Sequence, residues 1–237
     1  MQIHIRKLVE GARRAKGLTV VIDVFRAFSV ACYVFANGAE RILPVEKVNE
    51  AYRLGREHPE YVLIGERNGR KPENFDYGNS PAEMQGQDFG DKTVVQTTSA
   101  GTKGLLNVAA ANEVITGSFV NLGAVVAYLR SRDPSKVTLV PLGWKGCRPA
   151  AEDDYCAKFI RARLQGQSLD MDWIRGQLRE GSGSRFFDPC NQDSQPKEDF
   201  ELATQLDVFD FIIRRNSSNE HYELRKEKLS FCGSAGK

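Results

Sequence analysis

Histidine is scarce in this chain of 237 residues: only His4, His58 and His221 occur. None stands among the carboxylates, hydroxyls and arginines considered below, which argues against a phosphohistidine mechanism and a His-rich two-metal centre. Long apolar runs are missing too. No stretch reaches the roughly 18 consecutive apolar residues of a membrane-spanning helix. Met1 to Arg6 alternates polar and apolar residues instead of offering the apolar core of a signal peptide. The expectation is a cytoplasmic protein with no membrane partner. Neither sign of charge dominates, with 33 basic and 31 acidic side chains and a net charge of +2. No Lys/Arg cluster marks a nucleic-acid footprint. The five cysteines, Cys32, Cys147, Cys156, Cys190 and Cys232, are odd in number and include no C-x-x-C pair. A disulfide framework or structural zinc is therefore not expected. Neither G-x-x-x-x-G-K-S/T nor G-x-G-x-x-G occurs, which removes the usual nucleotide-binding loops.

What is present is a core-forming pattern. Apolar residues make up 41% of the chain, enough to bury a sizeable core in one domain. Short β-branched runs occur at Leu18 to Val24, Arg41 to Val45, Tyr61 to Ile64, Thr93 to Gln96, Glu113 to Thr116 and Lys136 to Pro141. Most are apolar almost without interruption, as in strands covered on both faces. Helical patterns lie between them, at Ala27 to Asn37, Val45 to Glu57, Gly101 to Ala111, Asn121 to Arg130 and Ala150 to Leu164. This alternation predicts an α/β fold of three layers, α/β/α, around a mostly parallel or mixed central sheet. The pattern weakens after Gly166. Residues 166–237 are expected as a C-terminal helical and loop extension of a single domain, 1–237. In it, Met171 to Glu180 reads as a helix, Glu180 to Lys197 as loop and Phe200 to Phe211 as helix. The last reading rests on Leu202, Leu206, Phe209 and Ile213 at helical spacing. Phe231 to Lys237 reads as a frayed tail.

Ligands of an open parallel sheet gather where strands end and helices begin, so the chemistry is sought there. The first run ends in Asp23-Val24-Phe25-Arg26. A carboxylate at the end of an apolar strand is costly unless a cation or hydrogen bonds compensate it. Helix capping or an ion pair with Arg26 is the structural alternative. The fourth run ends in Thr97-Thr98-Ser99-Ala100-Gly101-Thr102-Lys103. Four hydroxyls, a glycine and a lysine at a helix start suit an anion, although capping would use one hydroxyl. The sixth run leads to Glu152-Asp153-Asp154 in the first turn of a helix. Those carboxylates complement the helix dipole, or Glu152 and Asp153 serve magnesium, which takes oxygen ligands. The long loop from Gly65 to Glu83 adds Glu66, Arg67, Arg70, Lys71, Asp76, Asn79, Ser80 and Glu83. Loops of this length are commonly functional, and Arg67 offers a planar fork for an anion.

Four of these segments resemble the 2-phosphosulfolactate phosphatase family. Val21 to Ala27 is similar to its "IDVxRA" signature. Gly65-Glu66-Arg67-Asn68-Gly69 with Phe75-Asp76-Tyr77-Gly78-Asn79-Ser80-Pro81 resembles its "GERGG…GFDxGNSP" loop, with Asn68 and Asn74 where glycine is usual. Thr97 to Lys103 resembles its "TTxxGT(R/K)" turn, and Glu152-Asp153 with Cys156-Ala157 its "EDxxCA" helix start. The agreement runs from about Gly17 to Arg214.

The resemblance implies a phosphoric monoester hydrolase, dependent on Mg²⁺, that converts (R)-2-phospho-3-sulfolactate to 3-sulfolactate and phosphate, a step of coenzyme M biosynthesis in methanogens. Its partner would be a small anionic phosphoester; a homo-oligomer is left open. Expected catalytic residues are Asp23, Arg26, Glu152 and Asp153. Expected metal ligands come from Asp23, Asp76, Glu152 and Asp153. Substrate contacts are expected from Arg67, Asn79, Ser80, Thr97, Thr98, Ser99, Gly101, Thr102 and Lys103. The nucleophile is either water or Asp23. Two alternatives stay open: a phosphatase for another phosphorylated 2-hydroxy acid, and a non-catalytic anion-binding module.

Overall fold

The computed structural model describes residues 1–217 and 221–229. The tail expected at Phe231 to Lys237 lies outside them. Strand β1 spans Gln2–Ile5, β2 Gly17–Ile22, β3 Arg41–Pro44, β4 Val62–Gly65, β5 Thr93–Thr97, β6 Ala111–Gly117 and β7 Lys136–Pro141. Helix α1 spans Leu8–Arg13, α2 Ala27–Ala36, α3 Val48–Glu57, α4 Pro81–Met84, α5 Gly101–Leu106, α6 Leu122–Arg132 and α7 Ala151–Leu164. The C-terminal part adds α8 Met171–Glu180, α9 Lys197–Ala203, β8 Phe211–Ser217 and β9 Tyr222–Lys228. Among the described residues these strands form one nine-stranded mixed sheet, ordered β1-β7-β2-β6-β8-β9-β3-β5-β4. The expected α/β class is therefore found.

The sheet consists of two parallel halves, β1-β7-β2-β6 and β3-β5-β4, joined by the antiparallel pair β8 and β9. Helices cover both faces because the central strands are apolar on both. Val21 of β2 and Val140 of β7 point into a core shared with α1, α2 and α5. Leu18, Val20 and Ile22 point the other way, onto α6 and α7. A third cluster packs α3 against Leu43, Leu63 and Val95. This period of two places successive side chains on opposite faces. Helix α2 is buried nearly all round, as an apolar helix must be. It carries the chain from β2 in one half to β3 in the other. No helix of the described residues is long and apolar enough to cross a membrane.

The long loop expected over Gly65 to Glu83 leads into helix α4, the helix expected over Gly101 to Ala111 ends at Leu106, and the part expected as helical and loop supplies strands β8 and β9. Three further differences follow. The alternation in Met1 to Arg6 is an edge strand, β1, beside β7. The helix expected over Phe200 to Phe211 stops at Ala203. Asp207 adopts φ 59°, and the N–H groups of Asp207 and Phe209 donate to Phe119 O and Val120 O. Long-range bonds thus draw the chain out before Phe211, where β8 begins. The loop expected over Glu180 to Lys197 contains two short 3-10 turns, Ser184–Phe187 and Pro189–Asn191.

Gly17 opens β2 at φ 75°, and a Cβ there would lie 2.4 Å from Lys136 O. Backbone cannot swing aside as a side chain can, so Gly17→Ala is expected to cost roughly 1–3 kcal/mol. Urea denaturation should show an earlier midpoint at unchanged slope.

Candidate active site

The C-terminal ends of the two parallel halves meet in one cleft. Asp23 and Phe25 enter it from β2, Glu66 from β4, Thr98 and Ser99 from β5, and Gly143 and Trp144 from β7. The halves approach closely at α2 and α5. Gln96 Nε2 donates to Ala27 O at 3.0 Å. A Cβ on Gly101 would lie 2.4 Å from Ala27 Cβ and 2.9 Å from Asp23 Oδ2, so only glycine fits this contact.

Four acidic side chains lie buried in this cleft: Asp23, Glu66, Glu152 and Asp153. Asp153 opens α7 and spends both oxygens on backbone amides, accepting from Val24 N and from Gly143 N, each at 2.8 Å. It ties the ends of β2 and β7 to the helix. Asp23 Oδ1 accepts from Ala27 N at 3.1 Å. Burial, followed by the charges of Glu66 and Glu152, pushes Asp23 from 3.8 to about 7, against the Ala27 amide and Arg185. Burial and the charges of Asp23 and Glu152 also push Asp153 well above the carboxylate range. Glu152 Oε2 is buried with no hydrogen-bond partner among the described residues.

The hydroxyl turn after β5 is largely self-organised. Thr102 N donates to Thr98 Oγ1 at 3.1 Å, and Thr98 N to Thr102 Oγ1 at 3.0 Å. Glu66 accepts from Ser99 N at 2.6 Å, Ser99 Oγ at 3.1 Å and Gly69 N at 2.8 Å. Among the described residues no side chain takes the Ala100 and Gly101 amides. Asn68 and Asn74 lie at φ 55° and 58°. Asparagine tolerates this left-handed region better than other non-glycine residues, which accounts for it at both positions.

The expected residues divide into two groups. Asp23, Arg26, Asn79, Thr98, Ser99, Glu152 and Asp153 line the cleft. Arg67 does not. Its guanidinium is spent on Glu66 O at 2.6 Å, Glu46 O at 2.5 Å and Thr97 Oγ1 at 2.6 Å, where it braces the loop. Thr97 is wholly buried under that brace. Lys103 is half-buried on α5 and does not line the cleft. Asp76 is exposed. Its carboxylate accepts from Leu63 N at 2.8 Å near the start of β4, whereas the cleft opens beyond that strand's far end. Ser80 stands behind the site, donating to Asp199 Oδ1 at 2.6 Å. Thr102 and Gly101 shape the turn from below.

Arg26 is buried and ion-paired to Asp199 at 2.5 Å, and it also donates to Ser194 O at 2.9 Å. Nothing local in the sequence pairs residues 173 positions apart. Trp144 and Lys145 also line the cleft just beyond the end of β7, and Arg185 and Gln195 line it without any periodic or motif signal.

A family model described as 2-phosphosulpholactate phosphatase matches residues 3–217. The chain belongs to this family. It is 31% identical over 206 residues to "Probable 2-phosphosulfolactate phosphatase" of Bacillus subtilis (strain 168), which covers 86% of this chain and 89% of that protein. A protein of the same name from Thermoplasma acidophilum is 34% identical over 180 residues, or 73% of this chain and 80% of the relative. Another from Pseudothermotoga lettingae is 39% identical over 202 residues, or 81% and 87%.

Among the described residues no three acidic, histidine or cysteine side chains form a ready-made metal site. The donor set still fits magnesium. That ion usually takes one or two carboxylates and completes its shell with water and substrate phosphate. The unpartnered Glu152 Oε2 beside Asp23 supplies that minimum.

Folded Asp23 holds its proton up to pH about 7, while the unfolded chain releases it near 3.8. Its contribution to stability is thus full below the ordinary value and lost as pH climbs through about 7. In chelator, the melting temperature of Asp23→Asn should overtake that of wild type by a margin that grows from pH 5 to pH 8. A margin independent of pH would contradict the raised value.

Proposed function

We propose that this protein hydrolyses (R)-2-phospho-3-sulfolactate to 3-sulfolactate and phosphate, with residues 1–237 acting as one phosphatase domain. The observation that carries the reading is the convergence of Asp23, Glu152, Thr98 and Arg26 on one cleft at the C-terminal sheet edge, in a chain of this family. A substrate with phosphate, carboxylate and sulfonate groups brings several negative charges. It needs cations and amide donors where they are shielded from water.

Asp23 and Glu152 would hold Mg²⁺. Bound there, the ion would neutralise charge on the phosphoryl group. The rest of the work falls to the chain. The Ala100 and Gly101 amides offer donors to phosphoryl oxygens at the start of α5. Asp153 keeps the β2 and β7 ends in register through Val24 and Gly143. Asp199 holds the Arg26 guanidinium at the cleft wall, and Asp199 is itself held by Ser80 Oγ and Ala82 N. Water is the attacking group we favour over Asp23. The phosphatases that use an aspartyl nucleophile carry a second carboxylate two residues on, and Phe25 stands there instead. A cytoplasmic setting is part of the proposal, supported by four free cysteines among the described residues.

Phosphate release from phosphosulfolactate should require added Mg²⁺ and vanish with chelator. Asp23→Asn should lower kcat/KM at least about 100-fold, the scale of losing a metal ligand or its partner. Release that survives chelation would remove the metal. No release from phosphosulfolactate, with turnover of phospholactate or phosphoglycolate, would move the assignment to another hydroxy acid. No release from any ester would favour an anion-binding module.

A further inference from the structure

The cations in and beside the cleft are not equally free. Arg26 is committed to Asp199 and Ser194 O. Arg67 is committed to three oxygens outside the cleft. Lys145 is exposed and donates to Asn68 Oδ1 at 2.7 Å. Arg185 is different. Its one side-chain hydrogen bond among the described residues runs from Nη1 to Ser182 O at 2.9 Å. Among the described residues no carboxylate forms a salt bridge with it, although Glu152, Asp23 and Asp153 are near enough to act on its charge.

Aromatic rings hold it instead. The guanidinium carbon lies 4.9 Å from the Phe186 ring centroid, 5.1 Å from that of Trp144 and 5.6 Å from that of Phe25. Phe186 is fully buried, and Phe25 packs edge-on against it at 5.0 Å. Trp144 remains 41% exposed, on the solvent side of the cleft. Ring contacts of this kind fix the plane of a guanidinium without consuming its N–H groups. The result is a preorganised fork at the cleft, most of whose donors are unspent.

We propose that Arg185 is the specificity-determining cation of this enzyme and that it binds the sulfonate of the substrate. The inference rests on the phosphosulfolactate reading and adds to it the group that distinguishes this ester from other phosphorylated 2-hydroxy acids. Two features favour the sulfonate over the phosphate or carboxylate. The phosphate end is assigned to the Ala100 and Gly101 amides and to the metal that Asp23 and Glu152 would hold. The aromatic walls make a weakly hydrated surround, which suits a weakly hydrated guanidinium and a diffuse sulfonate better than a compact carboxylate. Arg185 comes from the 3-10 turn Ser184–Phe187 in the segment between α8 and α9, so specificity would reside outside the strand-end motifs.

The test uses the full chain, with Arg185→Lys and Arg185→Gln assayed on phosphosulfolactate and on phospholactate, which lacks the sulfonate. Arg185→Lys keeps the charge and loses the planar fork. For both variants KM for phosphosulfolactate should rise at least about 30-fold, with kcat changed less than about threefold. Values for phospholactate should stay within about threefold of wild type. Calorimetry should show 3-sulfolactate binding weakened by a similar factor, with lactate and inorganic phosphate unaffected. Equal losses on both esters would overturn the proposal, since Arg185 would then serve a group they share. Unchanged KM for phosphosulfolactate in a folded variant, checked by its melting temperature, would overturn it too. Failure of wild type to hydrolyse phosphosulfolactate would instead sink the underlying activity, and the two results are read from separate arms.

Discussion

Burying Asp23, Glu152 and Asp153 side by side is the constraint on which the rest of this structure turns. Taking carboxylates out of water costs several kcal/mol for each ion unless something compensates. Asp153 is compensated by two backbone amides, and those amides sit at the ends of β2 and β7. Its burial thereby becomes the joint between the sheet and α7. Asp23 has one amide, from the start of α2, and stays poorly satisfied. Glu152 keeps an oxygen with no hydrogen-bond partner among the described residues. A structure selected for stability alone would not leave such a group, whereas sites of chemistry commonly do.

The supporting residues can be understood from that deficit. Glu66 adds a further negative charge near Asp23, yet its oxygens are filled by Ser99 and Gly69. It orders the hydroxyl turn and the long loop against each other. Asp199, fully buried, collects Arg26, Ser80 and Ala82 into one knot beneath the cleft. That knot joins α9, α4 and the end of β2, three elements far apart in the chain.

The architecture makes the meeting possible. Two parallel halves expose their C-terminal ends, where free strand ends and helix starts gather polar groups. The antiparallel pair β8 and β9 sits between the halves with few shared pairs, one register match to β6 and one to β3. Helix α2 bridges them, and the absence of a side chain on Gly101 lets α5 close against it. The C-terminal part of the chain thus contributes to the sheet and, through Arg185 and Asp199, to the cleft.

By itself the sequence determined the strands from β2 to β7, the helices between them other than α4, and the presence of acid and hydroxyl groups at strand ends. These follow from local periodicity and from where a run stops. Asp23, Arg26, Thr98, Ser99, Glu152 and Asp153 reach the cleft for that reason. Only tertiary structure decided which groups remain free to act. Arg67 looked like an anion fork, but oxygens of Glu46, Glu66 and Thr97 take three of its N–H groups and it does not line the cleft. Asp76 sits in a loop that doubles back to the wrong end of β4. Arg185 lies in a segment without periodicity and becomes available only because Phe25, Trp144 and Phe186 assemble around it. A hydrogen-bonding side chain is either spent or available according to partners remote in the chain, and spacing along the chain carries no record of them.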